Sequence, residues 1–325
     1  MAISIKVGKV RDKSFNIDRG VTDLLKILSC LAIVMHHYSQ YALTNGVESS
    51  WLFRVFSSHG GYVGVALFFF LSGYGLAKSN QSHHLAFVDF LKHRLSKVYF
   101  PVLFATLLWC PFYLWLFGSE VNPFEFIWQA VGGGRLCFFD NVMWFIRVLL
   151  CLYLMFGVYS IAKSRASNVT SVGVLLCMTV VCFLCVAYWG AFFHAMSIPI
   201  FTIGVLISDF DKQLIRYILN HYIFASLLIL IVALAIPFRS ADIVPHVIIN
   251  YLIILAIIKL FAHVTISVTG LPKWLSPQSF NVYLVHNKVL MFGNALMPVV
   301  NFVVYIGVVI AVTVLFSIVR KVLQI

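Results

Sequence analysis

Charge is scarce in this chain. Asp, Glu, Lys and Arg together make up 10% of its 325 residues, where a soluble domain carries about 25%. That scarcity, with 62% hydrophobic residues and a mean hydropathy of +0.97, excludes an ordinary water-soluble domain. Acidic residues are fewest, 11 against 23 Lys and Arg, which leaves a formal charge of +12. A surplus of that size is compatible with nucleic-acid binding, so its distribution has to decide its meaning. The seven cysteines are odd in number and nearly all lie inside apolar runs, which is no disulfide framework. Cys182 and Cys185 have the CxxC spacing, yet one turn of an apolar helix is where small thiols pack rather than bind metal. "GGGR" at 132–135 lacks the preceding strand that a phosphate cradle needs and reads as a flexible loop. No stretch is long and polar enough for a sizeable soluble appendage.

What the chain has in abundance is long apolar runs, each suited to the roughly 20 residues of a spanning helix. Ten occur, at approximately 22–43, 60–78, 98–118, 142–161, 171–187, 192–208, 221–237, 245–264, 279–297 and 300–320. Only "AYWGAFFH" separates the fifth from the sixth, so their division is the least defined. The first run imitates a signal peptide, but it is longer than the usual apolar core of about 7–15 residues and nine more follow it, so it reads as a retained helix. With the N-terminus inside, sixteen of the 23 basic residues fall in inner segments, including Lys6, Arg19, Lys92, Arg94, Lys97 and Arg320. The outer segments hold only Arg54, Arg135 and Arg239. Positive charge is retained on the cytoplasmic side. The expected fold is therefore all-α and polytopic, with about ten transmembrane helices and both termini cytoplasmic. A basic cytoplasmic tail spans 1–19 and a single transmembrane domain spans 20–325; the surplus charge then calls for no nucleic acid.

Several ionisable groups fall inside the spans, where they are costly and mark sites or pathways. In "DLLKILSCLAIVMHHYSQY" the eleven residues from Lys26 to His37 make about three helical turns plus 20°, so both share a face about 16 Å apart. His36 is turned by about 100° from that face. Asp23, one turn before Lys26, can pair with it. His37 lies in the outer half of the membrane, and imidazole is the usual general base near neutral pH. His286 in "SFNVYLVHNKVL" follows Tyr283 by one turn and precedes Lys288. Arg147 lies in "NVMWFIRVLLCLYL". So many polar groups cannot all face lipid, which implies a polar interior. No cluster among them suggests a metal.

At the inner surface, "FLKHRLSKVYFP" places Lys92, Arg94 and Lys97 ahead of Pro101. Orientation of the helix explains them, and so does a site for phosphates. Two outer loops, roughly 44–59 and 119–141, mix aromatic with polar residues, a composition that suits the membrane interface and sugar faces alike. Neither offers the large outer loop expected of a glycan polymerase.

These motifs together resemble the membrane-bound acyltransferase 3 family, over nearly the whole chain. The resemblance rests on "TDLLKILSCLAIVMHH", "GYVGVALFFFLSGYGLAKS", "RLSKVYFP", "WFIRVLLCLYL" and "SFNVYLVH", of which the second is the most specific. The family's first-helix motif, an Arg followed by ten residues and a His, falls on Lys26 and His37. Its pair of inner-face arginines falls on Arg94 and Lys97. Both departures keep the charge and lose the planar fork of guanidinium. Some members carry an added extracytoplasmic hydrolase-like domain; this chain shows none, which implies direct transfer or a separate partner.

The resemblance implies an acyl-CoA donor, acetyl-CoA foremost, at the cytoplasmic face of a bacterial membrane. It also implies a glycan hydroxyl as acceptor outside and polysaccharide-assembly proteins as partners. The expected site has Arg94, Lys97 and Lys26 at the donor phosphates and His37 as general base or acyl carrier. Asp23 would pair Lys26, Arg147 or His286 would stabilise the oxyanion, and Tyr283 would position His286. Ser72 is open to two readings, nucleophile or close helix packing. The alternative function is a transporter or flippase for a glycan, lipid-linked sugar or small anion, for which ten helices and a polar interior are equally natural. Acceptor identity and acyl length are not written in these motifs.

Overall fold

The computed structural model describes residues 3–9, 15–48, 50–82, 86–118, 122, 124, 128, 143–189, 195–209, 243–297 and 299–323. The elements in chain order are β1 (Ser4–Lys9), α1 (Arg19–Thr44), α2 (Trp51–Val55), α3 (Gly61–Ser82), α4 (Phe87–Arg94), α5 (Phe100–Phe117), α6 (Met143–Arg165), α7 (Asn168–Trp189) and α8 (Ile198–Asp209), followed by α9 (Ile243–His263), β2 (Val264–Thr269), α10 (Leu275–Leu296) and α11 (Phe302–Leu323). The protein is an all-α polytopic membrane protein. Six helices among the described residues are long and apolar enough to cross a membrane, and two shorter apolar helices accompany them. The fifth and sixth runs are separate helices, α7 and α8. The span expected at 221–237, "GGGR" and most of the second outer loop lie outside the described residues.

α3 is the hub. It lies against α1 on one side and against α8 and α9 on another, and 72% of its apolar window is buried in protein. Lipid tails are as apolar as leucine, so helices in a bilayer gain by close approach rather than by escaping water. Glycines supply that approach. A Cβ on Gly73 would lie 2.2 Å from the Phe201 carbonyl oxygen, and one on Gly204 would lie 2.3 Å from that of Phe70. Gly73 thus gives "SGYG" the packing role.

Two wide, five-residue turns interrupt otherwise continuous helices, at Phe56–Gly60 before α3 and at Leu95–Tyr99 before α5. The second has a local cause. Pro101 has no N–H to return to the Lys97 carbonyl, and the Phe100 N–H reaches back five residues to Leu95 instead.

The C-terminal end of α1 is held by one residue of the connection into α11. Tyr38 donates from its hydroxyl to the Val300 carbonyl at 2.9 Å, and the Val300 N–H donates to the Tyr41 hydroxyl at 2.7 Å. Tyr38 also stacks on Tyr305 of α11, with ring centroids 5.2 Å apart. Tyr41→Phe strands a buried N–H, so a loss of about 1–3 kcal/mol in stability is expected. Thermal unfolding in detergent checks this; an unchanged midpoint would show the bond to be dispensable.

Part of the N-terminal tail departs from a simple basic extension. Ser4–Lys9 pairs antiparallel with Val264–Thr269. The ribbon is tied to the start of α1, where the Asp18 carboxylate accepts from the Gly20 N–H at 3.1 Å and the Val268 N–H at 3.4 Å.

Candidate active site

α1 presents its two histidines differently. His36 is buried, and its Nδ1 donates to the Phe56 carbonyl at 3.0 Å, inside the first wide turn. Gly61 makes room for that ring, since a Cβ there would come within 2.4 Å of it. His37 is only half-buried and turns towards α10, where its ring meets that of His286 at a centroid distance of 5.3 Å. Gln40 lies one turn further along α1, beside His37. The helical spacing thus separates the two as expected: one packs, the other faces a neighbouring histidine.

His286 is fully buried at 0% exposure. Its Nδ1 lies 2.7 Å from the Tyr283 carbonyl and 3.2 Å from that of Val282. Carbonyls only accept, so Nδ1 carries the hydrogen and, in the neutral ring, Nε2 is a bare acceptor. That Nε2 is buried and without a hydrogen-bond partner in the structure. Tyr283 therefore orients His286 through its backbone, while its own ring packs on Phe145 at 5.1 Å and beside His286 at 5.7 Å. Cys30 of α1 donates to the Ser279 carbonyl of α10 at 3.0 Å and helps hold these two helices face to face.

At the N-terminal end of the same two helices, Lys26 pairs with Asp23 at 3.6 Å. Ser276, in the first turn of α10, donates to Asp23 at 2.8 Å. Ser276 is a residue the sequence does not single out, because its partner lies 253 positions away. Arg320 is also more than an orienting charge: it is hydrogen-bonded to Asn281 of α10.

Arg94 and Lys97 part company. Arg94 ends α4, half-buried, with its guanidinium carbon 5.6 Å from the Phe90 ring and 5.8 Å from that of Tyr153 on α6. Its Nε is buried with no hydrogen-bond partner. Lys97 stands on the wide turn and is exposed. Gly157 lets α4 lie against α6, since a Cβ there would meet the Phe87 ring at 2.3 Å. Ser72 lies beside Tyr153, eleven residues and so about 16 Å along α3 from the Gly61 level of the histidines. That distance removes Ser72 from their chemistry. Arg147 lies half-buried on α6, towards its outer end.

The structure thus brings His37, His286 and Tyr283 together in one place and Asp23 with Lys26 in another, and sets Arg94 between α4 and α6. Among the described residues no group of three or more His, Cys, Asp or Glu could hold a metal.

Ionisable groups set at two depths along α1 and α10 suit an integral membrane protein that handles a polar ligand, enzyme or transporter. The chain belongs to the acyltransferase 3 family, whose Acyltransferase domain it matches over residues 21–319. No curated protein and no solved structure matches it. It is accordingly a multi-pass membrane acyltransferase.

Proposed function

We propose that the protein is an O-acyltransferase that moves an acyl group, acetyl foremost, from cytoplasmic acyl-CoA to a hydroxyl of a glycan on the outer side. One observation carries the reading: a half-buried His37 backed by a buried His286 in the outer half, on a helix whose inner end holds Lys26 and Asp23. The donor's phosphates sit at the inner cations Arg94, Lys97 and Lys26. A pantetheine arm is comparable to the ~16 Å between Lys26 and His37, so the arm, not the whole donor, crosses the membrane.

In the reaction His37 takes the proton of the acceptor hydroxyl as its oxygen attacks the thioester carbonyl. The tetrahedral intermediate collapses, the C–S bond breaks, and the departing thiolate takes the proton back. An ester and free CoA-SH result. The Nδ1–H tautomer of His286 leaves its Nε2 able to accept but not to donate. This favours a role in orienting and sharing the proton of His37, and leaves the oxyanion to Arg147. His286 does not touch substrate in this scheme and is a positioning residue.

Purified protein in detergent, given labelled acetyl-CoA and an envelope glycan, is expected to yield labelled glycan and free CoA. A transporter would do neither without a sealed vesicle. Arg94→Gln is expected to raise the donor KM about ten-fold or more, the worth of a hydrogen bond to a charged group, with kcat little changed. An unchanged KM would return Arg94 to packing and helix orientation.

A further inference from the structure

The β1–β2 ribbon has an apolar face that begins on protein and runs past its edge. Residues directly opposed in an antiparallel pair point to the same side. Ile5 stands opposite Val268 and Val7 opposite Ile266. Val268 is buried among Phe15, Ile17, Val21 and the inner ends of α3 and α9, and Ile266 packs on the same group. Across the pair, Ile3, Ile5 and Val7 are 58%, 60% and 68% exposed. The other side of the strand carries Ser4, Lys6 and Gly8. One strand therefore has an apolar side that continues a protein core with none of the described residues covering it.

Position and charge say what lies there. The ribbon is fixed at the membrane's inner boundary, because Asp18 bonds β2 to the first turn of α1 and β2 follows α9 without a break. A Cβ on Gly20 would lie 1.9 Å from the Val268 carbonyl, so the ribbon sits hard against the helix end. Beyond the rim of the bundle, at that depth, is the headgroup layer. Trp274, 64% exposed beside exposed Lys273, is the kind of residue that anchors at this layer. The first nineteen residues add Lys6, Lys9, Arg11, Lys13 and Arg19 against Asp12 and Asp18.

We propose that β1 is a membrane-surface anchor, with Ile3, Ile5 and Val7 set into the inner leaflet and the neighbouring cations drawn to anionic lipid headgroups. It is an amphipathic strand doing what amphipathic helices do at bilayer surfaces. The anchor acts on α1 through β2, which Asp18 bonds to that helix's first turn, and its existence does not depend on the acyl-transfer reading.

The test uses the full chain with a photoreactive benzoylphenylalanine at position 5 or 7, and at position 6 as the opposite-face control. Each is reconstituted in vesicles of phosphatidylcholine alone or with phosphatidylglycerol. Positions 5 and 7 are expected to give lipid adducts and position 6 few. Phosphatidylglycerol should raise the adducts about five-fold or more, the scale of one cation at an anionic surface. Cross-linked dimers in place of lipid adducts would mean that a second copy covers the strand and would overturn the proposal. Equal labelling at positions 5, 6 and 7, or no lipid adduct at any, would do the same. Adducts indifferent to phosphatidylglycerol would remove the anionic partner.

Discussion

Replacing His37 by Ala is expected to lower acyl transfer about 10²–10⁴-fold, the usual contribution of a positioned acid–base group. The protein should still insert and fold, since the grip on α1 comes from Tyr38, Tyr41 and Cys30. Donor binding should change little, because Lys26 sits three turns away on α1 and the other cations assigned to it, Arg94 and Lys97, stand on other elements. His36→Ala makes the sharper control. It removes a buried ring and its bond to Phe56, so it should lower thermal stability while sparing the per-molecule rate of the folded fraction more than His37→Ala does. Turnover that survives His37→Ala in monodisperse protein would sink the assignment. Equal catalytic losses in both variants would show that the pair matters only for packing.

The largest structural effect is expected at the crossing of α3 and α8. Gly204→Val puts a branched side chain where the Cβ alone would be 2.3 Å from the Phe70 carbonyl oxygen and 2.9 Å from the Tyr74 nitrogen. Both obstacles are backbone, so no side-chain rotation relieves them. Overpacking commonly costs about 1–3 kcal/mol, and here two helices must separate along their contact, so the top of that range or beyond is expected. The measurable outcome is loss of the monodisperse species in detergent and steep loss of membrane-inserted protein. Gly75→Val, on α3 and with nothing within 4 Å of its Cβ, should be tolerated. If both variants behave alike, close approach is not what holds α3 to α8.

How much of this was legible in the chain follows from the distance over which each feature is encoded. The shared face of Lys26 and His37, the Asp23 pairing and the separation of His36 are all consequences of helical period within one run, and period can be read locally. The meeting of His37 with His286 could only be inferred from shared polarity, since nothing in one helix states which neighbour it will face. Ser276 escaped for the same reason. Arg94 and Lys97 looked like a matched pair by spacing. The wide turn that Pro101 provokes ends that equivalence, leaving one half-buried on aromatic rings and the other exposed. The β ribbon was least readable: "VTISVT" has the β-branched alternation of a strand, but its partner lies at the other end of the sequence.

The wide turn at Leu95–Tyr99 also constrains how such a chain can change. A five-residue turn houses one residue more than the regular helix, so it acts as a register marker between the cationic stretch and α5. If the turn relaxed to an ordinary helix without losing a residue, everything after it would swing by about 100°. Phe104, which stacks on Phe316, and Trp109, which packs on Phe292, would then point away from α11 and α10. Substitutions that let the turn relax, Pro101→Ala first, should therefore disturb this packing, even though three members of the turn, Leu95, Ser96 and Lys97, are exposed. Its geometry matters more than its composition.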